Sequence, residues 1–274
     1  MGMAPPDDLT IGIVTDLHFG PQALFGGKLR KMTHLAGGLT RAFVKRMNDE
    51  VRPHLVVNLG DDIEDESREA DLQRYGECQS ILREADAALV NVAGNHDTVH
   101  MNRADLSAFW RRSGPLYYSL DQRGWHLVVL HTLEETGVQI RIPEPQLEWL
   151  RADLAATDKP TIVLMHHSAS EQQLDDSRWW PGRSHLALVK DRAELRGIFE
   201  RSARVRAVFN GHLHWNHLDL IAGIPYVTVQ SLIENVDDDA PGRAAAAYAE
   251  VRLTDRRMVV RVRGNDPARY QIEW

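Results

Sequence analysis

Seven side chains in this sequence are of the types and spacings that hold metal ions: Asp16, His18, Asp61, Asn95, His166, His212 and His214. None of them is a thiolate. A mixed set of nitrogen and oxygen donors suits Mn, Fe or Zn and disfavours Ca, whose sites are all oxygen. Seven donors are too many for one ion with a vacant position, but they fill two ions about 3.5 to 4 Å apart if one carboxylate bridges. Two divalent ions bring four positive charges, and two aspartates with a bridging hydroxide remove three. The residual charge, in a water-poor cleft, suits an anionic phosphate ester. Asn95 can ligate through its amide oxygen without adding charge, which leaves the adjoining His96 free to touch the substrate.

Each donor group follows an apolar run of strand length. The expected strands are Leu9 to Thr15, Leu55 to Leu59, Ala88 to Ala93, Thr161 to Met165 and Val205 to Phe209. In an open α/β sheet, ligands bind at the carboxyl ends of such strands. Asp16 and His18, like His212 and His214, stand two residues apart, a spacing that would put both on one side of a pleat. Gly94 is expected to allow the tight exit that exposes Asn95 to Asp97. Helices are expected within Gly38 to Val51 and over Ser67 to Ala85, Arg103 to Arg112, Pro145 to Ala155 and Asp191 to Ser202, with Asp62 and Asp65 hydrogen-bonding locally or capping the second. Three hairpins are expected: Tyr117 to Leu120 with Trp125 to His131, Leu218 to Ile221 with Tyr226 to Gln230, and Tyr248 to Leu253 with Met258 to Val262. His126 and His131 read as structural. Residues 168–190 form a long loop with Trp179 and Trp180, read as a lid whose aromatic faces meet the substrate. Six cations, Lys28, Arg30, Lys31, Arg103, Arg178 and Arg183, are the available sources of positive charge around a bound anion.

The chain has 274 residues, 43% hydrophobic and 26% charged, enough to bury a large core. Its formal charge of −7 argues against a surface that neutralises many phosphates of duplex DNA. Cys78 is the lone cysteine and reads as an inert thiol. No leader-like or bilayer-length apolar segment is present, so a cytoplasmic location without a membrane partner is expected by default. The donors spread over five strand ends between positions 16 and 214, which argues for a single domain over 1–274, with residues 215–274 completing the second sheet. The pattern leaves room for a homo-oligomer.

Taken in order, Asp16-Leu17-His18, Gly60-Asp61, Gly94-Asn95-His96-Asp97, His166 and Gly211-His212-Leu213-His214 resemble the pattern of the calcineurin-like metallophosphoesterase superfamily over residues 11–214. The resemblance implies a four-layer α/β/β/α sandwich of two mixed sheets flanked by helices. It implies that Asp16, His18, Asp61 and His214 hold one metal, and that Asp61, Asn95, His166 and His212 hold the other, with Asp61 bridging. Val163-Leu164-Met165-His166 fits the Val-x-x-His form of relatives, so His166 is preferred to His167, which remains a supporting donor behind it. His96 would stabilise charge or protonate the leaving alkoxide, with Asp97 orienting it. The chain departs from purple acid phosphatases at His18 and Glu64, and looks more like bacterial cyclic-nucleotide and glycerophosphodiester phosphodiesterases, although Ser168-Ala169 stands where those often have Pro-Pro. The implied activity is hydrolysis of small phosphodiesters by water activated on two metals. The alternatives are a phosphomonoesterase, a nucleotide pyrophosphatase and a non-catalytic metal-binding module.

Overall fold

The computed structural model describes residues 6–135 and 139–274. In chain order the elements are β1 (Leu9–Val14), α1 (Ala36–Arg46, continued by a π turn over Met47–Val51), β2 (Leu55–Asn58), α2 (Arg68–Leu82), β3 (Ala88–Asn91), α3 (Arg103–Trp110), β4 (Tyr118–Gln122), β5 (Trp125–Val129), β6 (Leu133–Glu135), β7 (Gln139–Arg141), α4 (Glu144–Ala156), β8 (Thr161–Leu164), α5 (Arg192–Ser202), β9 (Val205–Asn210), β10 (His217–Ile221), β11 (Ile224–Thr228), β12 (Tyr248–Leu253), β13 (Arg257–Arg263) and β14 (Ala268–Glu273).

Two six-stranded mixed sheets result, ordered β14-β13-β12-β1-β2-β3 and β10-β11-β9-β8-β5-β4. The apolar runs that carry the donors become the parallel strands β1, β2 and β3 of one sheet and β8 and β9 of the other, where β5 and β11 flank them in parallel. Such runs suit strands covered on both faces. Ile11, Ile13 and Val57 share one buried cluster with Leu127, Val129, Leu164 and Phe209 of the facing sheet. Outside the first sheet, Phe43, Met47, Tyr75, Leu82 and Leu106 pack α1, α2 and α3 onto it. Outside the second, Leu147, Leu150, Leu195 and Phe199 do the same for α4 and α5. The expected four-layer sandwich is therefore present. Gly12 matters to it, because a Cβ there would sit 2.3 Å from Met47 Sδ, and its absence lets α1 lie close to β1.

Three expectations need correction. Residues 215–274 do not all complete the second sheet: β10 and β11 do, but β12 pairs antiparallel with β1, Leu9 opposite Leu253, and β13 and β14 follow it. Alternation reveals that a strand exists, not which open edge it will meet. Ser67, not Asp62 or Asp65, caps α2, its side chain accepting from the Ala70 N–H. The short hairpin β6–β7 and the last strand β14 were not anticipated. No helix among the described residues is long and apolar enough to cross a membrane.

Candidate metal centre

The strands stop before the donors begin. β1 ends at Val14 and β9 at Asn210, so no pleat brings Asp16 to His18 or His212 to His214. Instead Asp16 (φ 52°), His18 (φ 44°), Asp61 (φ 57°), His212 (φ 66°) and His214 (φ 57°) all occupy the left-handed region. Such conformations cost on the order of 1–3 kcal/mol each in non-glycine residues and persist where the surroundings enforce them. Two glycines make the close approach possible. A Cβ on Gly94 would lie 2.1 Å from Asp61 Oδ1, and one on Gly211 would lie 2.5 Å from Asp16 Oδ2. Gly94 thus serves proximity to Asp61 and not a turn that only glycine can adopt.

The turns bring all seven sequence-predicted donors into one buried cluster. His18 Nε2 and His214 Nε2 are 3.2 Å apart, and Asp16 Oδ1 lies 3.4 Å from His214 Nε2. Asp61 Oδ2 lies 3.2 Å from His166 Nε2 and 3.9 Å from His18 Nε2, which puts one oxygen between two sets of imidazoles. Asn95 Oδ1 is 3.1 Å from His166 Nε2. His212 has its Nε2 on the Leu186 carbonyl at 3.0 Å, leaving Nδ1 for the cluster. Ligand atoms of Asp16, His18 and His214 lie within 4.8 Å of one another, as do those of His166, His167 and His212.

Each imidazole is oriented from behind, as metal-ligating histidines generally are. His18 Nδ1 faces Glu64 Oε2 at 3.0 Å, and Lys31 Nζ donates to the same oxygen at 2.8 Å. His214 Nδ1 meets Glu234 Oε2 at 2.7 Å, and His166 Nδ1 meets the Leu59 carbonyl at 2.9 Å. Glu64 and Glu234 were missed as supporting residues. Glu64 carried a weak signal, three residues beyond Asp61, whereas Glu234 comes from the segment after β11 and carried none.

The expected pairing of His96 with Asp97 is not what the fold builds. His96 Nδ1 is hydrogen-bonded to Asp65 Oδ1. Asp97 turns inward and accepts the backbone N–H groups of Asp61 at 3.0 Å, Asp62 at 2.8 Å and Gly94 at 2.9 Å, tying two strand exits together. The reason is positional: Asp97 is the middle residue of a short helical turn, His96–Thr98, while the loop before α2 delivers Asp65 to the ring. His96 packs edge-on to His18, with ring centroids 4.8 Å apart.

The electrostatics fit a cation. Burial lowers His18 to about 4, with Lys31 adding to the effect, and lowers His212 to about 3. Burial also opposes charge on His166 and His214, but Asp61 and Asp16 override it and push these imidazoles up to about 10 and about 9. The carboxyls of Asp16 and Asp61 are held below the usual range, because neighbouring imidazoles outweigh the effect of burial. The carboxylates of the cluster thus favour positive charge on the imidazoles they face, the charge that a bound cation would supply. His167 adds a second sign: its Nδ1 is bonded to Thr132 Oγ1 at 2.7 Å, while its buried Nε2 has no hydrogen-bond partner. A buried polar atom left without a partner beside this cluster points to a group that the site is built to receive, and the seven donors present fit two divalent ions.

The tryptophans of the 168–190 loop are committed to the protein and are not a free lid. Trp180 stacks on His212, centroids 4.7 Å apart and planes at 29°, and Trp179 meets His214 edge-on while its Nε1 donates to Glu234 Oε1 at 3.1 Å. Of the six cations, Lys31 is paired with Glu64, and Lys28, Arg30 and Arg178 all lie within 4.0 Å of Asp238. His126 sits between Asp121 and Asp153 at 2.7 and 2.8 Å, in keeping with a structural role.

Two mixed sheets lie under helices, with nitrogen and oxygen donors at the carboxyl ends of their parallel strands. The chain belongs to the calcineurin-like phosphoesterase family, whose profile matches residues 9–216. It is 30% identical over 213 residues to a cAMP/cGMP dual specificity phosphodiesterase of Mycobacterium tuberculosis, covering 70% of this chain and 63% of that protein. It is 26% identical over 211 residues to a probable cyclic nucleotide phosphodiesterase of Synechococcus, covering 75% and 73% respectively. The chain spans 63%, 61% and 58% of the length of three curated relatives it matches. The crystal structure of a dimetal phosphatase from Danio rerio superposes with a TM-score of 0.78 at 18% identity, covering 97% of this chain and 99% of that one, a likeness of fold.

Proposed function

We propose that the chain hydrolyses small phosphodiesters within a single domain, using two first-row divalent ions of the Mn, Fe or Zn type. In this reading Asp16, His18, Asp61 and His214 hold one ion and Asp61, Asn95, His166 and His212 the other. The central position of Asp61 Oδ2 supports its role as the shared ligand. Such ions lower the pKa of water toward neutrality and offset charge on phosphoryl oxygens. His96 is the acid for the leaving oxygen: Asp65 holds Nδ1, so Nε2 is the working nitrogen. Burial opposes its protonation, but Asp61 and Asp65 together raise its pKa above the usual imidazole value.

The observation that carries the preference for diesters is that most of the surrounding cations are held by protein groups and not presented to a bound anion: Lys31 by Glu64, Lys28 and Arg30 by Asp238, and Arg178 by the Asn235 and Val236 carbonyls. A monoester dianion calls for more fixed positive charge than a diester monoanion. The phosphodiesterase names of the curated relatives support the same reading. The test is reconstitution with each metal, followed by assay of a diester and a monoester that share one leaving group. Two ions per chain, loss of activity on chelation and a higher kcat/KM for the diester are expected. A consistent preference for the monoester would overturn the reading in favour of a phosphomonoesterase.

A further inference from the structure

We propose that the cavity on the outer side of His214 seats a nucleobase, which makes the substrate a nucleotide diester. The substrate class rests on the phosphodiesterase reading above; the cavity itself does not. Its volume is about 360 Å³, within the range of small-ligand sites, and His214 and Glu234 form the wall it shares with the metal centre.

Two indoles, Trp179 and Trp215, line this cavity. The polar edge of each is tied down: Trp179 Nε1 donates to Glu234, and Trp215 Nε1 donates to Gln172 Oε1 at 2.7 Å. Fixed edges leave rigid rings as cavity walls, suited to a flat aromatic guest. The edge of that guest would meet amide and carboxylate groups. Gln230 is only 5% exposed, yet its Nε2 donates to nothing among the described residues, and its Oε1 has a single contact at 3.5 Å from Asn216 Nδ2. Its Nε2 is therefore free to donate to a guest in the cavity that it lines. Asn265 uses Nδ2 on the Ala244 carbonyl at 2.7 Å, which leaves its Oδ1 to accept, and the Asp266 carboxylate is a second acceptor on the same wall.

Charge selects among possible guests. Arg178 donates to the carbonyls of Asn235 and Val236, and Arg243 is bidentate on Asp237, so both arginines in the lining are already engaged. With Asp176, Glu234 and Asp266 also in the lining, the cavity is not built for a second phosphate. A neutral, flat group with hydrogen-bond donors and acceptors on its edge matches every feature. A glycerol or alkyl group would leave the indoles and the Gln230 amide unused.

The experiment compares the metal-loaded protein with Gln230→Leu and Trp215→Ala, using a nucleoside 3′,5′-cyclic monophosphate and an alkyl phosphodiester of equal charge. Each variant is expected to raise KM for the cyclic nucleotide roughly tenfold, as for loss of one stacking or edge contact, with the alkyl diester little changed. Adenosine, which has no phosphate, is expected to compete with the substrate in the unaltered protein and to lose potency in both variants. Equal defects on both substrates, or adenosine failing to compete, would overturn the proposal. Turnover of monoesters alone would overturn the phosphodiesterase reading, and adenosine competition against a monoester would still decide the cavity.

Discussion

At the scale of single residues, the acids around His96 divide the work differently from their order in the chain. Asp65→Asn is expected to keep both metals and the fold while kcat falls roughly 10–100-fold, the usual effect of losing the partner that orients a working imidazole. His96→Ala is expected to lower kcat further, by about 10² to 10⁴, with a defect that shrinks for a nitrophenolate leaving group needing no proton. Steady-state kinetics over a leaving-group series, with metal content measured on the same samples, checks both; a metal lost from His96→Ala would mean the ring is a ligand. Asp97→Asn should act on stability instead. An amide there sets an N–H against one of the three backbone donors the carboxylate receives, at about 1–3 kcal/mol, and a thermal melt reads the loss. The seven donors were legible because motif spacing displays them. Asp65, Glu64 and Glu234 were not, because the contact that defines each is made across loops, and an acid near a motif looks the same whether it faces a ring or water.

At the scale of elements, the strand ends deserve the emphasis that the strands themselves received in the sequence. Apolar runs disclosed the parallel strands, but the left-handed turns that follow have no compositional signature, since Asp and His stand where glycine would be unstrained. Only the adjoining glycines hint at crowding. Gly94→Ala is therefore expected to displace Asp61, weakening metal binding and lowering stability by roughly 1–3 kcal/mol, as overpacking does. Metal titration of the variant with melting curves checks this; unchanged affinity would show that Asp61 can move aside freely. β14 was legible after all: Tyr270 and Ile272 alternate with polar neighbours and rest against the inter-sheet core. The hairpin β6–β7 was not, because three-residue strands carry too little pattern to distinguish from a loop.

At the scale of the molecule, the donors come from both sheets. Asp16, His18, Asp61 and Asn95 follow strands of the first, and His166, His212 and His214 follow strands of the second, so an ion held by both sets joins the sheets at their carboxyl ends. Ions that bind the folded chain alone should stabilise it by about 2.7 kcal/mol per site at a hundredfold excess over Kd. Calorimetry with chelator and then with added metal is expected to show a Tm that rises as metal is added and goes on rising with the logarithm of free metal; a Tm insensitive to metal would deny that the ions join the sheets.

The same topology has a consequence for how the chain is made. The second sheet is drawn from one continuous stretch, Tyr118 to Thr228, whereas β1 must wait for Tyr248–Leu253 before its outer edge is paired. While the ribosome works through everything between, β1 presents an apolar strand with a row of unmet N–H and C=O groups, a template for any neighbouring chain. β12, which reads in the sequence as an unremarkable hairpin strand, is thus the chain's own shield for the edge it exposed first.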